Sequence, residues 1–182
     1  MAQKATIFRA ELAVADMDRG HFATYTLMLA RHPSETDERM MVRLLAFALN
    51  AGESLSFGRG LSTEDEGDLM QRDLTGAIEA WIDVGLPDEK SLRKASGRAA
   101  RVVVYAYGGR AVDLWWAKNR GTLERLPNFS AFDVPQESSR ALAALAQRTM
   151  QLSCTVQDGH LWFGNATETV EVALTVLAQQ QV

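Results

Sequence analysis

Glu79, Trp81 and Asp83 alternate with Ile78, Ala80, Ile82 and Val84 in the middle of the chain. Period-two alternation predicts a strand over Ala77–Gly85 with its apolar residues turned to the core. The opposite face then carries two carboxylates. Asp68 can join them from the preceding segment if Leu69–Leu74 pairs with this strand around Thr75-Gly76. Carboxylate oxygens suit a hard cation such as Mg2+, which takes one or two protein carboxylates together with waters and phosphate oxygens. A metal held there would polarise a phosphate ester and acidify a bound water. Asp68, Asp83 and Glu79 are therefore the candidate metal ligands. The plainer reading is that acids on the outer face of a strand are simply solvated. Glu64-Asp65-Glu66, in the acidic loop Thr63–Asp68, reads as a wet surface turn.

A helix is predicted over Pro87–Ala100, with Pro near its first turn. At 100° per residue, Lys90, Lys94, Arg98 and Arg101 fall within about 80° of arc. A basic stripe beside carboxylates and an aromatic side chain suits a nucleic-acid backbone, with Trp81 either stacking on a base or packing beneath the helix. Taken alone, such a stripe is the ordinary wet face of a helix.

The rest of the chain must position these residues. Residues 5–15 alternate as a half-buried strand, Met17–Gly20 turns, and His21–Ala30 reads as its hairpin partner. Ser34, with an acid three residues on, is the expected cap of a helix carrying Met40, Met41, Leu44, Leu45, Phe47 and Ala48, ended by Gly52. Residues 54–60 read as a short strand. Val102–Tyr107 is a continuous β-branched and aromatic run, as in a strand buried on both faces. Then follow helix Val112–Arg125, strand Phe129–Val134 and helix Ser138–Thr149. Leu152–Val156 and Leu161–Gly164 flank the turn signal Asp158-Gly159, and Thr169–Leu174 is a last strand. This order predicts an α/β (mixed α+β) fold, a mixed sheet with flanking helices in a single domain over 1–182.

Composition narrows the function. The chain has 182 residues, 47% hydrophobic and 23% charged, with a net charge of −4. That is ordinary globular usage. The acidic balance argues against coating nucleic acid by bulk charge and leaves room for a local basic groove. No apolar run reaches the roughly 20 residues that span a bilayer, and MAQKATIFRAEL carries no apolar signal segment. The expectation is a cytoplasmic protein without a membrane role. Cys154, the one cysteine, sits in an apolar stretch as a small core residue.

The order of a helix with Glu35 and Glu38, a hairpin with Asp68 and Asp83, a helix with Lys90 and Lys94, and a buried strand resembles the αβββαβ core of the PD-(D/E)XK nucleases. Over nearly its whole length the chain also resembles the YaeQ family. The matching segments are KATIFRAEL, LARHPSETDERMMVRLLAFAL, GLSTEDEGDL, WIDVGLPDEKSLRKASGRA, VVVYAYGGRA and ALAALAQRTMQLSCTVQDG. That resemblance implies a compact fold around a variant of the nuclease motif and no settled activity. It sets Asp68 at the first motif acid and Asp83 at the second. Gly67 stands in place of the motif Pro, and Gly85 in place of the motif Lys. An alternative register, Glu79-Ala80-Trp81, lacks the Lys as well. Nuclease folds sometimes carry that Lys on the next helix, which implies Lys94 or Lys90, the former deeper in the helix.

Two expectations follow. In one, the protein is a Mg2+-dependent phosphodiesterase acting on DNA or RNA. Asp68 and Asp83 hold the metal, Glu38 orients its water, and Lys94 or Lys90 stabilises the phosphate. In the other, the fold is kept without the chemistry, as a module binding nucleic acid or a protein partner. His21, His32 and His160 have no zinc spacing, and Gly108-Gly109 lacks the Lys-Ser/Thr of a phosphate loop.

Overall fold

The computed structural model describes residues 3–59 and 65–180. Thr63 and Glu64 of the acidic loop lie outside them. In chain order the elements begin with β1 (Thr6–Asp16), β2 (His21–Arg31), α1 (Asp37–Asn50), β3 (Leu55–Phe57), β4 (Leu69–Arg72) and β5 (Ile78–Val84). Next come α2 (Glu89–Arg98), β6 (Ala99–Tyr107), α3 (Arg110–Leu123), β7 (Phe129–Val134) and α4 (Gln136–Ala144). The chain closes with β8 (Thr149–Gln157), β9 (His160–Gly164), β10 (Thr169–Glu171) and β11 (Thr175–Ala178). The fold is thus mixed α/β, with two mixed sheets among the described residues where the sequence suggests one. The strands divide between two compact units, each discontinuous in sequence.

The first unit comprises residues 1–51 and 137–173. Its sheet runs β10-β9-β8-β1-β2. β1 and β2 form the expected hairpin, from Thr6↔Arg31 to Asp16↔His21. β1 also pairs parallel with β8 (Leu12↔Leu152), a contact that local periodicity does not announce. Phe8, Ala10, Leu12 and Val14 are buried on one face of β1, as the alternation requires. Helix α1 is capped by Thr36, whose side chain accepts from Arg39 N. The expected cap Ser34 instead hydrogen-bonds His32 Nδ1 at 2.7 Å. Thr36 wins because the helix begins at Asp37, and its hydroxyl lies three residues from the orphan amide it satisfies. Glu35 is buried against Arg43, which donates Nε to Oε1 and Nη2 to Oε2, each at 2.8 Å. This two-point pairing offsets the cost of burying both charges.

The second unit comprises residues 52–136 and 174–182. Its sheet runs β11-β7-β6-β5-β4-β3. β3, β4 and β5 are antiparallel neighbours, whereas β5, β6 and β7 are parallel, joined through α2 and α3. Helices in both parallel connections follow from the need for a long crossover. Trp81, Val102, Val104, Phe129 and Ala131 form one buried cluster with Leu92 and Ala95 of α2 and Val112, Trp115 and Leu123 of α3. None of the described helices is long and apolar enough to cross a membrane.

Candidate functional site

The candidate acids sit where β4 and β5 meet. Register places Leu69 beside Ile82 and Met70 beside Trp81, so Asp68, one residue before β4, comes level with Asp83. Asp68 N donates to Asp83 Oδ1 at 3.1 Å. Val84 N donates to Asp68 Oδ2 at 2.8 Å. The second oxygen of Asp83 accepts from Trp81 Nε1 at 3.0 Å. Asp68 and Asp83 are thus neighbours at this corner. Three of their four carboxylate oxygens accept from the two amides and the indole that shape this corner.

Gly67 has a steric reason to be glycine. A Cβ there would stand 2.8 Å from the Trp81 ring and 2.9 Å from the Ile82 carbonyl oxygen. Backbone lies directly on the indole, and the Trp81 N–H is aimed at Asp83. Gly85 has φ of 95°, and its N–H donates to Tyr105 O at 2.9 Å. The position that would carry the motif Lys is therefore one where side chains other than glycine strain the backbone.

Helix α2 starts at Glu89 on an Asp88 cap and ends at Arg98. The predicted helix ran to Ala100, and β6 takes its last two residues. Arg101 consequently leaves the stripe. It pairs with Ala80 in the parallel register and shares that residue's face, opposite Trp81 and Asp83. Strand pairing overrode helical spacing here. Lys90 stays on the exposed side of α2. Lys94 and Arg98 converge on one acceptor, Asp65 Oδ1, at 3.1 Å and 3.4 Å. The hydrogen bond and charge of Lys94, with a smaller contribution from Arg98, hold the fully exposed Asp65 carboxyl below its usual range. The Arg98 guanidinium also lies 5.8 Å from the Trp81 ring centroid. Trp81 itself is only 4% exposed. It packs beneath α2, which removes it as an open stacking platform.

The remaining candidates lie elsewhere. Glu79 accepts from Gln71 Nε2 at 2.9 Å on an exposed stretch of β5. Glu38 belongs to the first unit, where Ser139 Oγ donates to its Oε1 at 2.7 Å. Among the described residues no three His, Cys, Asp or Glu side chains gather in a way that could hold a metal ion. Asp68 Oδ2 and both oxygens of Asp83 each accept one hydrogen bond from a backbone or indole donor at this corner. Sequence reasoning missed Asp65, which it read as a wet turn. The signal was the opposite charge of the neighbouring stripe, and only the fold brings the two together.

An α/β protein with two mixed sheets, a β-meander leading into parallel strands, and paired acids at the meander's corner defines the class. The chain belongs to the YaeQ family, whose model, described as YaeQ protein, matches residues 1–174. It is 44% identical over 179 residues to the YaeQ proteins of Escherichia coli (strain K12) and Salmonella typhi, covering 98% of this chain and 99% of each relative. The crystal structure of the YaeQ protein from Xanthomonas axonopodis pv. citri superposes with a TM-score of 0.92 at 47% identity, over 96% of this chain and 98% of that one. That of the Pseudomonas syringae protein gives 0.91 at 36% identity, over 96% and 97%.

Proposed function

We propose that this protein is a non-catalytic binding module that retains a nuclease-like core and uses the outer face of α2 to hold a nucleic-acid backbone. The succession α1, β3, β4, β5, α2, β6, antiparallel through β5 and parallel into β6, supports a relationship to the PD-(D/E)XK architecture. The observation that carries the non-catalytic reading is the use of both motif acids as acceptors for Asp68 N, Val84 N and Trp81 Nε1. Chemistry of the nuclease kind would need those oxygens for a cation and a Lys beside them. Binding needs only Lys90, Lys94 and Arg98. Lys94 and Arg98 are half exposed and tied to a single carboxylate at the surface. An exposed pair of this kind is screened by solvent and adds little, so a phosphate oxygen can replace Asp65.

The test is fluorescence anisotropy with labelled single-stranded DNA, single-stranded RNA and duplex DNA across a salt series. Wild type should bind, with affinity falling linearly in log salt. The double variant Lys94→Gln/Arg98→Gln should weaken all sequences alike and flatten the slope by about 2, roughly one per lost phosphate contact. Absence of binding, or equal binding and slope in the variant, overturns the proposal.

A further inference from the structure

We infer that the open edge of β2 pairs with the same edge of a second copy of this chain, antiparallel about a two-fold axis at Thr26. Among the described residues each sheet ends in two edge strands. Three of these four edges are short: β10 and β3 have three residues each, and β11 has four with a shift in register. β2 has eleven and pairs with β1 without a shift. It holds no Pro, Lys, Asp or Glu. Brevity, bulges, prolines and inserted charges keep an edge strand from joining another chain, and the middle of β2 has none of them. Phe22 and Met28 on this strand are 64% and 62% exposed.

The main chain of this edge is directed outward. Arg9 N donates to Arg148 O at 2.8 Å, so the main-chain groups of Arg9 face β8. Alternation then turns those of Ala10 and Leu12 toward β2, where they exchange bonds with Leu27 and Tyr25. Phe22, Thr24, Thr26 and Met28 are left with N–H and C=O groups facing away from β1. No described residue bonds the main chain of these four on that side. Ala30, next in the series, has its carbonyl oxygen 3.2 Å from the donor Arg43 Nη2.

A second copy matches this edge. An axis at Thr26 sets Thr26 opposite its own counterpart, Thr24 opposite Met28 and Phe22 opposite Ala30, the larger side chain beside the smaller. The outward-facing residues then meet one another as hydrogen-bonded pairs, and the interface is self-complementary. Phe22 to Ala30 carries no charge, so no like charges face across the axis. A ribbon about 37 Å long and about 10 Å deep covers roughly 400 Å² per copy, about half of a standard interface. Dimerisation is therefore weak, with a dissociation constant on the order of 100 μM. The edge does not involve α2, so its test is separate from that of the basic helix.

Sedimentation velocity of the full chain from about 10 μM to about 1 mM tests this, with backbone amide exchange read at both ends of the range. Wild type should pass from monomer to dimer. The amides of Thr24, Thr26 and Met28 should exchange more slowly at high concentration, while those of Tyr25 and Leu27, already bonded to β1, hold their rates. Thr26→Lys sets two ammonium groups against each other at the axis and should weaken the dimer on the order of tenfold, with the melting temperature unchanged. Ser153→Lys, exposed on the same sheet face but on the interior strand β8, should leave the dimer intact. A chain that stays monomeric leaves the edge to a strand of another protein and overturns the inference. So does a dimer whose Thr24, Thr26 and Met28 amides gain no protection, or one that Ser153→Lys weakens as much as Thr26→Lys.

Discussion

Asp68 and Asp83 brace one another across the β4–β5 corner. The backbone of Asp68 donates to the side chain of Asp83, while the backbone of Val84 donates to the side chain of Asp68. Each acid thus satisfies an amide at or next to the other, and Trp81 closes the second oxygen of Asp83. Each carboxylate has its own donors, Asp68 N and Trp81 Nε1 for Asp83 and Val84 N for Asp68. Their first task is to hold the entry of β4 against the end of β5.

Asp83→Asn should therefore destabilise the fold. An amide can accept with one oxygen, but its NH2 must then face either the Asp68 N–H or the indole N–H. One donor is left unmatched, at a cost of about 1–3 kcal/mol. Urea unfolding followed by Trp fluorescence measures this. A variant as stable as wild type would contradict the bracing role.

Restoring the motif residue at position 85 should not help. Gly85→Lys meets no close atom, the nearest being Tyr107 Cε1 at 3.9 Å from an added Cβ. Its cost is the left-handed backbone, about 1–2 kcal/mol. Thermal unfolding should report that loss with no gain of phosphodiesterase activity. A tolerated Lys that confers cleavage would be the opposing result.

Cys154 should be inert in the native protein. Burial, chiefly, pushes its thiol up to about 12, with the Asp16 charge adding and Arg19 opposing. The nucleophile is the thiolate, which is then scarce at neutral pH. Alkylation by iodoacetamide near pH 8 should be negligible when folded and rapid in denaturant. Fast labelling of the folded chain would show that the site opens.

Asp133 should carry a pH-dependent penalty. Its Oδ1 is buried without a hydrogen-bond partner among the described residues. Burial first, and the charge of Asp113 second, raise its carboxyl above the usual range. The folded state then holds the proton more tightly than the unfolded chain. The stability this contributes is full below the unfolded pKa and is lost as pH rises through the raised folded value. Asp133→Asn should be more stable than wild type near neutral pH, with the gap closing in acid. Melting curves at both ends of that range decide it, and a gap that widens in acid would reverse the sign.

The strands nearest the candidate site were legible because their apolar periodicity is strong. β5 alternates, and β6 is a continuous apolar run. The hairpin of β1 and β2 was legible for the same reason. Local pattern also brought Asp68 level with Asp83. It could not say which groups would donate to them, because a backbone N–H and an indole N–H leave no mark in residue spacing. Arg101 was misassigned to the helical stripe because helical and strand phases overlap at the α2–β6 junction, and the pairing with Ala80 settles which one holds. The pairing of β1 with β8 joins residues far apart in the chain, which no window of local sequence contains. Asp65 is solvated, as an acid in an acidic loop should be, but its two basic partners, Lys94 and Arg98, come from a helix that no local spacing connects to it.

The most direct measurement is cleavage of single- and double-stranded DNA and RNA with Mg2+ or Mn2+, comparing wild type with Asp83→Asn under conditions where both are folded. If Asp68 and Asp83 are braces of the fold, wild type cleaves no substrate faster than the variant. Metal-dependent cleavage by wild type that Asp83→Asn abolishes would contradict this account and return both acids to catalysis.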